Sequence, residues 1–251
     1  MAESFRQRLR QREQLIGTWV KTPSPIVCEV LAKTPLDVVC LDAEHAPFDR
    51  GSLDQCLLAL RAGGMPALVR VPSAAAEHVL NALDCGATGI VAPHVTAVDQ
   101  AAAIAQSAHF GAGGRGYAGS TRAAGYTSKA MADHLADSAA ESAVIVQIED
   151  LEALEHIDEI AALDAVDCLF IGRIDLTVAL GAASPADPEV LAAVERICEA
   201  GDKAGRAVGM FVGDTKEVPR WQEAGASFFL LSSDHGFILQ GARALVDGFA
   251  R

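Results

Sequence analysis

The segment VVCLDAEHAP, from Val38 to Pro47, begins as an apolar run and ends with three ionisable side chains, Asp42, Glu44 and His45, within four positions. A continuous apolar run of this length is typical of a parallel β-strand whose sheet is covered by helices on both faces. The ionisable residues then lie at the carboxyl end of the strand. The architecture depends on whether further strands of the same kind follow.

Apolar segments of this kind alternate with alanine-rich segments of helical periodicity along the whole chain. The predicted strands are 15–21, 37–44, 66–71, 88–93, 143–150, 167–172, 207–213 and 227–233. The predicted helices are 25–32, 53–61, 75–84, 98–107, 153–160, 188–204, 218–224 and 236–249. Eight successive strand–helix units favour an α/β fold whose parallel sheet closes into a (β/α)8 TIM barrel. A doubly wound open sheet is the alternative.

Local signals mark the boundaries of several elements. Ser24 precedes Pro25 and Asp187 precedes Pro188, so each pair predicts a capped helix start. Glycine ends most connections between a helix and the next strand. No linker rich in proline or serine interrupts the sequence, and residues 1–251 are therefore predicted to form one barrel domain.

The composition limits the class of partner. A net charge of −13 and a pI near 4.9 argue against nucleic acid and anionic membranes, because phosphate binding needs a basic surface. The charged N-terminal segment lacks the apolar core of a signal peptide, and no membrane span is evident, so a cytoplasmic location is predicted. Six dispersed cysteines without a CxxC pair predict free buried thiols: Cys28, Cys40, Cys56, Cys85, Cys168 and Cys198.

The segment from Gly111 to Ser128, GAGGRGYAGSTRAAGYTS, is the one long irregular insertion. Its GAGGRG follows a helix rather than a strand, which is the wrong context for a phosphate-binding loop. Long loops in compact domains are usually functional, so an active-site flap or an oligomer contact is predicted. Arg115 and Arg122 within it either bind an anion or lie in solvent.

Two acidic residues follow neighbouring predicted strands. Gln147 and Glu149 are two positions apart, so strand geometry directs both side chains to one face. Asp175 follows Gly172, the end of the next strand, by three residues. Two carboxylates without cysteine or histidine at ligand spacing favour Mg²⁺ or Mn²⁺. The alternative is that Glu149 caps a helix and Asp175 is a surface acid.

Arg70 ends an apolar strand, where an unpaired guanidinium would be costly. It either binds a carboxylate or oxyanion, or pairs with Asp42 or Glu44, and the two roles are compatible. His45 is placed to act as a general base near neutral pH, whereas Asp84 reads as a helix cap or a surface residue. Lys21 is the only lysine at a strand end, which disfavours imine chemistry.

The order of seven motifs resembles a known family. They are GTWVKTPSP, LDAEHAPFD, VRVP, LDCGATGIVAPHV, GGRGYAGSTRA, VQIED and FIGRIDLTVALG. The chain resembles the HpcH/HpaI family, and within it the metal-dependent 4-hydroxy-2-oxoheptane-1,7-dioate (hydroxy ketoacid) aldolases. The resemblance implies a class II pyruvate aldolase on a (β/α)8 barrel of the phosphoenolpyruvate/pyruvate type. It also implies a homo-hexamer, a trimer of dimers that exchange their last helix.

The resemblance also implies roles for individual residues. Glu149 and Asp175 would bind a divalent cation, Mg²⁺ or Mn²⁺ with Co²⁺ or Zn²⁺ as alternatives, and His45 with Asp84 would form an acid/base pair. Arg70 would hold the C2 oxygen of the oxoacid. Further substrate contacts are expected from Trp19, Asp42, Glu44, Gln147, Gly172, Arg173, Ile174, Phe211 and Val212.

The expected reaction is reversible aldol cleavage of a 4-hydroxy-2-oxoacid to an aldehyde and pyruvate, or a close 2-oxoacid such as hydroxypyruvate. Arg173 and Ile174 depart from the Pro-Ala that many relatives carry, so the accepted oxoacid or aldehyde is not expected to transfer unchanged. The alternatives are another lyase on the same scaffold, such as a citramalyl-CoA-type lyase or an oxoacid decarboxylase, and a non-catalytic barrel that binds 2-oxoacids.

Overall fold

A computed structural model describes residues 3–249, which form a closed barrel of eight parallel strands. The strands are β1 (Leu15–Val20), β2 (Val38–Asp42), β3 (Ala67–Arg70), β4 (Gly89–Ala92), β5 (Ala143–Ile148), β6 (Cys168–Ile171), β7 (Ala207–Val212) and β8 (Phe228–Ser233). Each strand pairs with its sequence neighbour, and β8 closes the sheet on β1. The predicted TIM barrel is confirmed, and closure excludes the open sheet.

The helices surround the barrel. They are α1 (Phe5–Arg10), α2 (Pro25–Leu31), α3 (Arg50–Ala62), α4 (Ala76–Asp84), α5 (Val98–Ala108), α6 (Met131–Glu141), α7 (Leu151–Glu155), α8 (Ile157–Ala161), α9 (Arg173–Ala179), α10 (Pro188–Lys203), α11 (Val218–Glu223) and α12 (Asp234–Asp247), with a 3₁₀ turn at Thr215–Glu217. The sequence did not predict α1, α6 and α9. The predicted helix 153–160 is two short helices, α7 and α8.

Side chains alternate between two apolar layers, as strand geometry requires. One layer fills the barrel with residues such as Trp19, Leu68 and Phe170, and the other packs the strands against the helices. Helix α1 closes the amino end of the barrel, where Phe5 packs edge-on against Phe228 with ring centroids 5.9 Å apart. Helix α1 thus covers the barrel interior at its amino end, and the interior is open at the carboxyl end.

The two predicted N-cap residues stand at the predicted positions, but they do not make the capping hydrogen bonds. Ser24 and Asp187 stand at the N-cap positions of α2 and α10, each followed by proline, but neither side chain bonds its own helix. Asp187 instead accepts hydrogen bonds from the amides of Ala183 and Ser184, at 2.9 and 3.2 Å, and so orders the preceding turn. The six cysteines are buried and free, as predicted.

The irregular segment 111–128 lies away from the carboxyl end of the barrel. Its Arg115 is buried, donates to Ser138 Oγ at 3.1 Å and lies 4.0 Å from the ring of Phe110. Arg122 pairs with Asp54 at 2.6 Å. Neither arginine lies free in solvent, and no residue of this segment lines the cavity described below. The active-site flap is therefore wrong for the site within one chain, and the oligomer contact stays a prediction.

A membrane-crossing helix, which must be long and apolar throughout, does not occur within residues 3–249.

Candidate active site

A cavity of about 650 Å³ opens at the carboxyl ends of the strands. Residues that end or follow seven of the eight strands line it, among them Trp19, Arg70, Gln147, Phe211 and Ser232. Barrel enzymes place their chemistry at this end. A smaller cavity of about 340 Å³ lies at the amino end, and none of the predicted site residues lines it.

Arg70 is fixed on one wall of the cavity by two carboxylates. The registers of β2 and β3 place Asp42 opposite Arg70, which donates to it through Nε at 3.0 Å and through Nη2 at 2.8 Å. Arg70 Nη1 lies 3.1 Å from Glu44, and the guanidinium packs 4.5 Å from the ring of Trp19. The structural pair is therefore present and Arg70 lines the cavity, while its contact with an oxyanion stays a prediction.

Asp42 lies behind Arg70 rather than in the cavity. Its side chain is fully buried, and Lys21 adds a second cation at 3.2 Å. Burial opposes ionisation, but the hydrogen bonds and charge of Arg70 outweigh it, so the pKa of Asp42 is lowered. The Asp42 side chain does not line the cavity, and its contacts hold Arg70 in place. Its expected contact with substrate stays a prediction.

Glu149 and Gln147 project from the end of β5 towards one point. The amide of Gln147 donates to Glu149 Oε2, and the backbone N–H of His94 donates to Glu149 Oε1 at 2.8 Å. Burial raises the pKa of Glu149, and the charge of Asp175 raises it further. Gln147 Oε1 is buried without a hydrogen-bond partner among residues 3–249, so it can accept a bond from a ligand.

Gly172 allows the chain to pass close to Glu149. A Cβ at position 172 would lie 2.6 Å from both Cβ and Oε2 of Glu149, a distance that real side chains do not tolerate. The next residues begin α9, with Asp175 exposed in its first turn. The glycine therefore brings the β6 end within reach of the β5 carboxylate.

Three side chains form a donor cluster that the sequence did not predict as a unit. Glu44, His94 and Glu149 each offer a ligand atom, and these atoms lie within 4.8 Å of one another. His94 also lies 3.0 Å from Asp150. Burial opposes protonation of His94, but the surrounding acids outweigh it and raise its pKa. An arrangement of two acids and an imidazole is a set of ligands for a divalent cation.

Asp175 lines the same cavity but lies outside that tight cluster. The predicted metal pair, Glu149 and Asp175, is close enough for one charge to raise the pKa of the other carboxyl. The roles implied by the resemblance did not include His94, and they named Glu44 as a substrate contact. The motif APHV, with His94 two residues past β4, was the available signal.

His45 lines the cavity with an exposed side chain, 3.7 Å from Glu44, and its backbone N–H donates to Asp42 at 3.1 Å. Asp84 is elsewhere. It ends α4, which runs from the carboxyl to the amino end of the barrel, and its charged neighbours are Arg115, Arg50 and His134. Burial raises the pKa of Asp84. The expected pair of His45 with Asp84 is therefore not formed within one chain.

The rest of the cavity lining differs partly from the expectation. Trp19, Phe211, Arg173 and Ile174 line the cavity, as expected. Val212 does not, because the alternation along β7 turns its side chain into the layer between strands and helices, where it is 1% exposed. The sequence missed Lys21, Gly213, Glu217, Ser232 and Ser233, which also line the cavity.

The chain is similar to known proteins over nearly its whole length. The family model of the HpcH/HpaI aldolase/citrate lyase family matches residues 15–240. A hydroxypyruvate/pyruvate aldolase of Paraburkholderia phytofirmans is 36% identical over 247 residues, which cover 95% of this chain and 94% of that protein. A 5-keto-4-deoxy-D-glucarate aldolase of Klebsiella pneumoniae is 33% identical over 249 residues, covering 98% of this chain and 96% of that protein.

A solved structure shares the fold at the same level of identity. An HpcH/HpaI aldolase/citrate lyase family protein from Burkholderia cenocepacia superimposes with a TM-score of 0.92, at 36% identity and with 98% of both chains covered. The match to the family model includes all eight strands and the residues around the cavity. The chain therefore belongs to the HpcH/HpaI aldolase/citrate lyase family and is an enzyme of the aldolase and lyase type.

Proposed function

We propose that the cavity cleaves 4-hydroxy-2-oxoacids reversibly to an aldehyde and pyruvate, or a close 2-oxoacid such as hydroxypyruvate. The observation that carries the proposal is one rim where a fixed guanidinium, that of Arg70, lies 3.1 Å from Glu44, a member of the donor cluster around Glu149. A cation site and an oxyanion site side by side are what the enolate of a 2-oxoacid needs. The aldolases among the relatives support the same reaction class.

We propose further that a divalent cation, Mg²⁺ or Mn²⁺ with Co²⁺ or Zn²⁺ as alternatives, is held at Glu149. Two observations fit a cation there: the pKa of Glu149 is raised by burial and a neighbouring acid, and Gln147 Oε1 lacks a partner among the described residues. Asp175, Glu44 and His94 are the further candidate ligands. When bound, the cation supplies a Lewis acid that withdraws electrons from the oxoacid.

Arg70 then stabilises the negative charge that develops on the C2 oxygen as the bond between C3 and C4 breaks. Its two bonds to Asp42 hold the guanidinium in place before the substrate arrives. A preorganised donor of this kind is typically worth about 3 to 4 kcal/mol in the transition state. Gln147 and the backbone around Gly172 hold the carboxylate of the oxoacid, while Trp19 and Phe211 cover the aldehyde.

His45 is proposed to take the proton from the C4 hydroxyl during cleavage and to return a proton to C3 of the enolate. We expect His45→Ala to lower kcat by about 10² to 10⁴, because general acid/base assistance is worth that much. His78→Ala is the control, because His78 is a half-buried histidine on α4 that does not line the cavity. Steady-state cleavage and exchange of the C3 protons of pyruvate, followed by NMR, measure the effect. An unchanged exchange rate with intact metal binding would remove His45 from the mechanism.

The function itself is tested by coupling pyruvate release to lactate dehydrogenase, with a panel of 4-hydroxy-2-oxoacids and several divalent metals. We expect release that EDTA abolishes and added metal restores. Full activity after exhaustive chelation would contradict the role of the cation. Oxoacid binding without carbon bond cleavage would favour a non-catalytic barrel, and release of pyruvate only from a CoA thioester would favour a citramalyl-CoA-type lyase.

We also propose that the chain is a single barrel domain that assembles through its last helix. Only Asp234 is buried in α12, whereas five large apolar side chains of this helix are exposed: Phe237, Ile238, Leu239, Leu245 and Val246. Such a face is typical of a helix that packs on another chain. The resemblance extends this to a hexamer, a trimer of dimers. Light scattering is expected to give about six times the mass of the chain, 26.2 kDa, and a monomer would contradict the assembly.

A further inference from the structure

A bidentate ion pair stands on the cavity wall beside the proposed site. Arg173, the first residue of α9, donates to Glu217 through Nη1 at 2.5 Å and through Nη2 at 3.3 Å. Glu217 ends the 3₁₀ turn that follows β7, and both residues line the cavity. The pair therefore joins the rims of two neighbouring strands, β6 and β7.

Packing against Trp221 holds Arg173 in place, in addition to the ion pair with Glu217. Its side chain is 11% exposed and the guanidinium carbon lies 5.5 Å from the ring of the fully buried Trp221. The two bonds to Glu217 match the planar fork of the guanidinium, which is the geometry that a substrate carboxylate would otherwise occupy. Glu217 thus takes the position of an anionic ligand on Arg173.

The remaining space for the aldehyde follows from the proposed position of the oxoacid. Arg70 on β3 and Glu149 on β5 hold the oxoacid on one side, so the carbon chain beyond C3 extends towards β7, β8 and β1. At β7, β8 and β1 the cavity wall contains the ion pair of Arg173 with Glu217, whose charges cancel. The other residues lining this part of the wall are uncharged: Trp19, Phe211, Gly213, Ser232 and Ser233. Lys21, the remaining cation on the lining, is already paired with Asp42 at 3.2 Å.

We propose that Glu217 withholds Arg173 from the substrate, so that the site prefers short neutral hydroxyaldehydes over aldehydes that carry a carboxylate. The inference rests on the proposed aldolase function and adds the class of the aldehyde to it. Hydroxyls of the aldehyde meet the serines, whereas a carboxylate would have to displace Glu217 from a bidentate pair. Glu217 is in this account a positioning residue, which acts through Arg173.

The test compares two aldehydes as acceptors for pyruvate, glycolaldehyde and succinic semialdehyde, on the same enzyme preparation. We expect the wild type to prefer glycolaldehyde, and Glu217→Gln to raise kcat/KM for succinic semialdehyde relative to glycolaldehyde by about tenfold, because the freed guanidinium can bind the carboxylate. Glu217→Asp keeps the charge and should stay near the wild-type ratio. The ratio is independent of how much of a variant folds.

Two further variants identify the group responsible. In the double variant Arg173→Gln with Glu217→Gln, the increase in kcat/KM for succinic semialdehyde relative to glycolaldehyde should disappear. Glu195→Gln is the matched control, because Glu195 pairs at 3.3 Å with Arg220, which packs on the same Trp221 but does not line the cavity. This control should leave the ratio and the turnover unchanged.

The outcomes separate this inference from the function on which it rests. A wild-type preference for succinic semialdehyde, or an unchanged ratio in Glu217→Gln, would overturn the role of the pair. Exchange of the C3 protons of pyruvate, measured by NMR with metal present, reports the aldolase activity without any aldehyde. Exchange without a shift in the ratio counts against the inference alone, whereas absence of exchange in the wild type counts against the function.

Discussion

Replacement of Glu149 by glutamine is expected to reduce carbon–carbon cleavage by about 10³-fold while the barrel stays folded. The carboxylate is the common member of both candidate metal sets, and a bound cation typically supplies several kcal/mol of transition-state stabilisation. Since each 1.36 kcal/mol corresponds to a factor of ten, its loss gives about that reduction. Coupled pyruvate release and calorimetric titration with Mn²⁺ measure the two effects.

The stability of this variant should not fall. Burial raises the pKa of Glu149, which means that the folded protein holds the charged form at a cost near neutral pH. A neutral amide removes that cost, and its oxygen can still accept from the backbone N–H of His94. Its NH₂ can donate to Gln147 Oε1, which lacks a partner among the described residues, once the Gln147 amide turns its oxygen towards position 149. In EDTA, we expect the melting temperature of Glu149→Gln to equal or exceed that of the wild type.

The control for this experiment is Glu152→Gln, which removes an exposed carboxylate from the first turn of α7. It should keep wild-type metal affinity and turnover. A Glu149→Gln variant that binds Mn²⁺ with wild-type affinity and cleaves substrate at the wild-type rate would refute the metal role assigned to Glu149.

The strands could be predicted from the sequence because each is a short apolar run that ends at or just before a polar residue, a glycine or a proline. All eight were found within their predicted ranges. Helix α9 was missed because it begins directly after β6, at Gly172, so no loop separates it from the strand. Helix α1 was missed because it is mainly charged, although Phe5 and Leu9 on one face are fully or nearly fully buried.

The parts of the site that lie on a single strand could be predicted from the sequence. The contacts between residues that are far apart in the sequence could not. Gln147 and Glu149 share a face because they are two residues apart at the end of a strand, and this spacing alone predicts the shared face. The meeting of Glu44, His94 and Glu149 depends on how three loops fold back over the barrel rim. The pair of Arg173 and Glu217 joins residues 44 positions apart, and no local sequence pattern predicts this contact.

For Asp84 and Val212, the roles that the resemblance implies stay predictions, because a single chain brings neither side chain to the cavity. The resemblance placed Asp84 beside His45, yet α4 carries it to the other end of the same barrel. Val212 follows Phe211, and strand alternation allows only one of these two side chains to face the cavity. Counting the alternation outward from Phe211 would have excluded Val212.

Replacement of Arg70 by methionine is expected to lower both activity and stability, and a second substitution separates the two. Activity should fall by about 10²- to 10³-fold, as loss of a preorganised oxyanion donor does. The free energy of unfolding should fall by about 3 to 5 kcal/mol, because the fully buried Asp42 loses its bidentate partner. Chemical denaturation and the coupled assay provide the measurements.

The double variant Arg70→Met with Asp42→Asn should regain most of the stability and none of the activity, since the buried charge is then gone but the donor is still missing. In the wild type, Arg70 lowers the pKa of Asp42, so this pair stabilises the fold above the unfolded pKa of about 4 and loses that effect as the pH falls through the folded pKa. The stability gap between wild type and Arg70→Met should therefore narrow below about pH 4. A double variant with wild-type turnover would make Arg70 purely structural, whereas a stable but inactive single variant would contradict the cost assigned to the loss of the bidentate partner of Asp42.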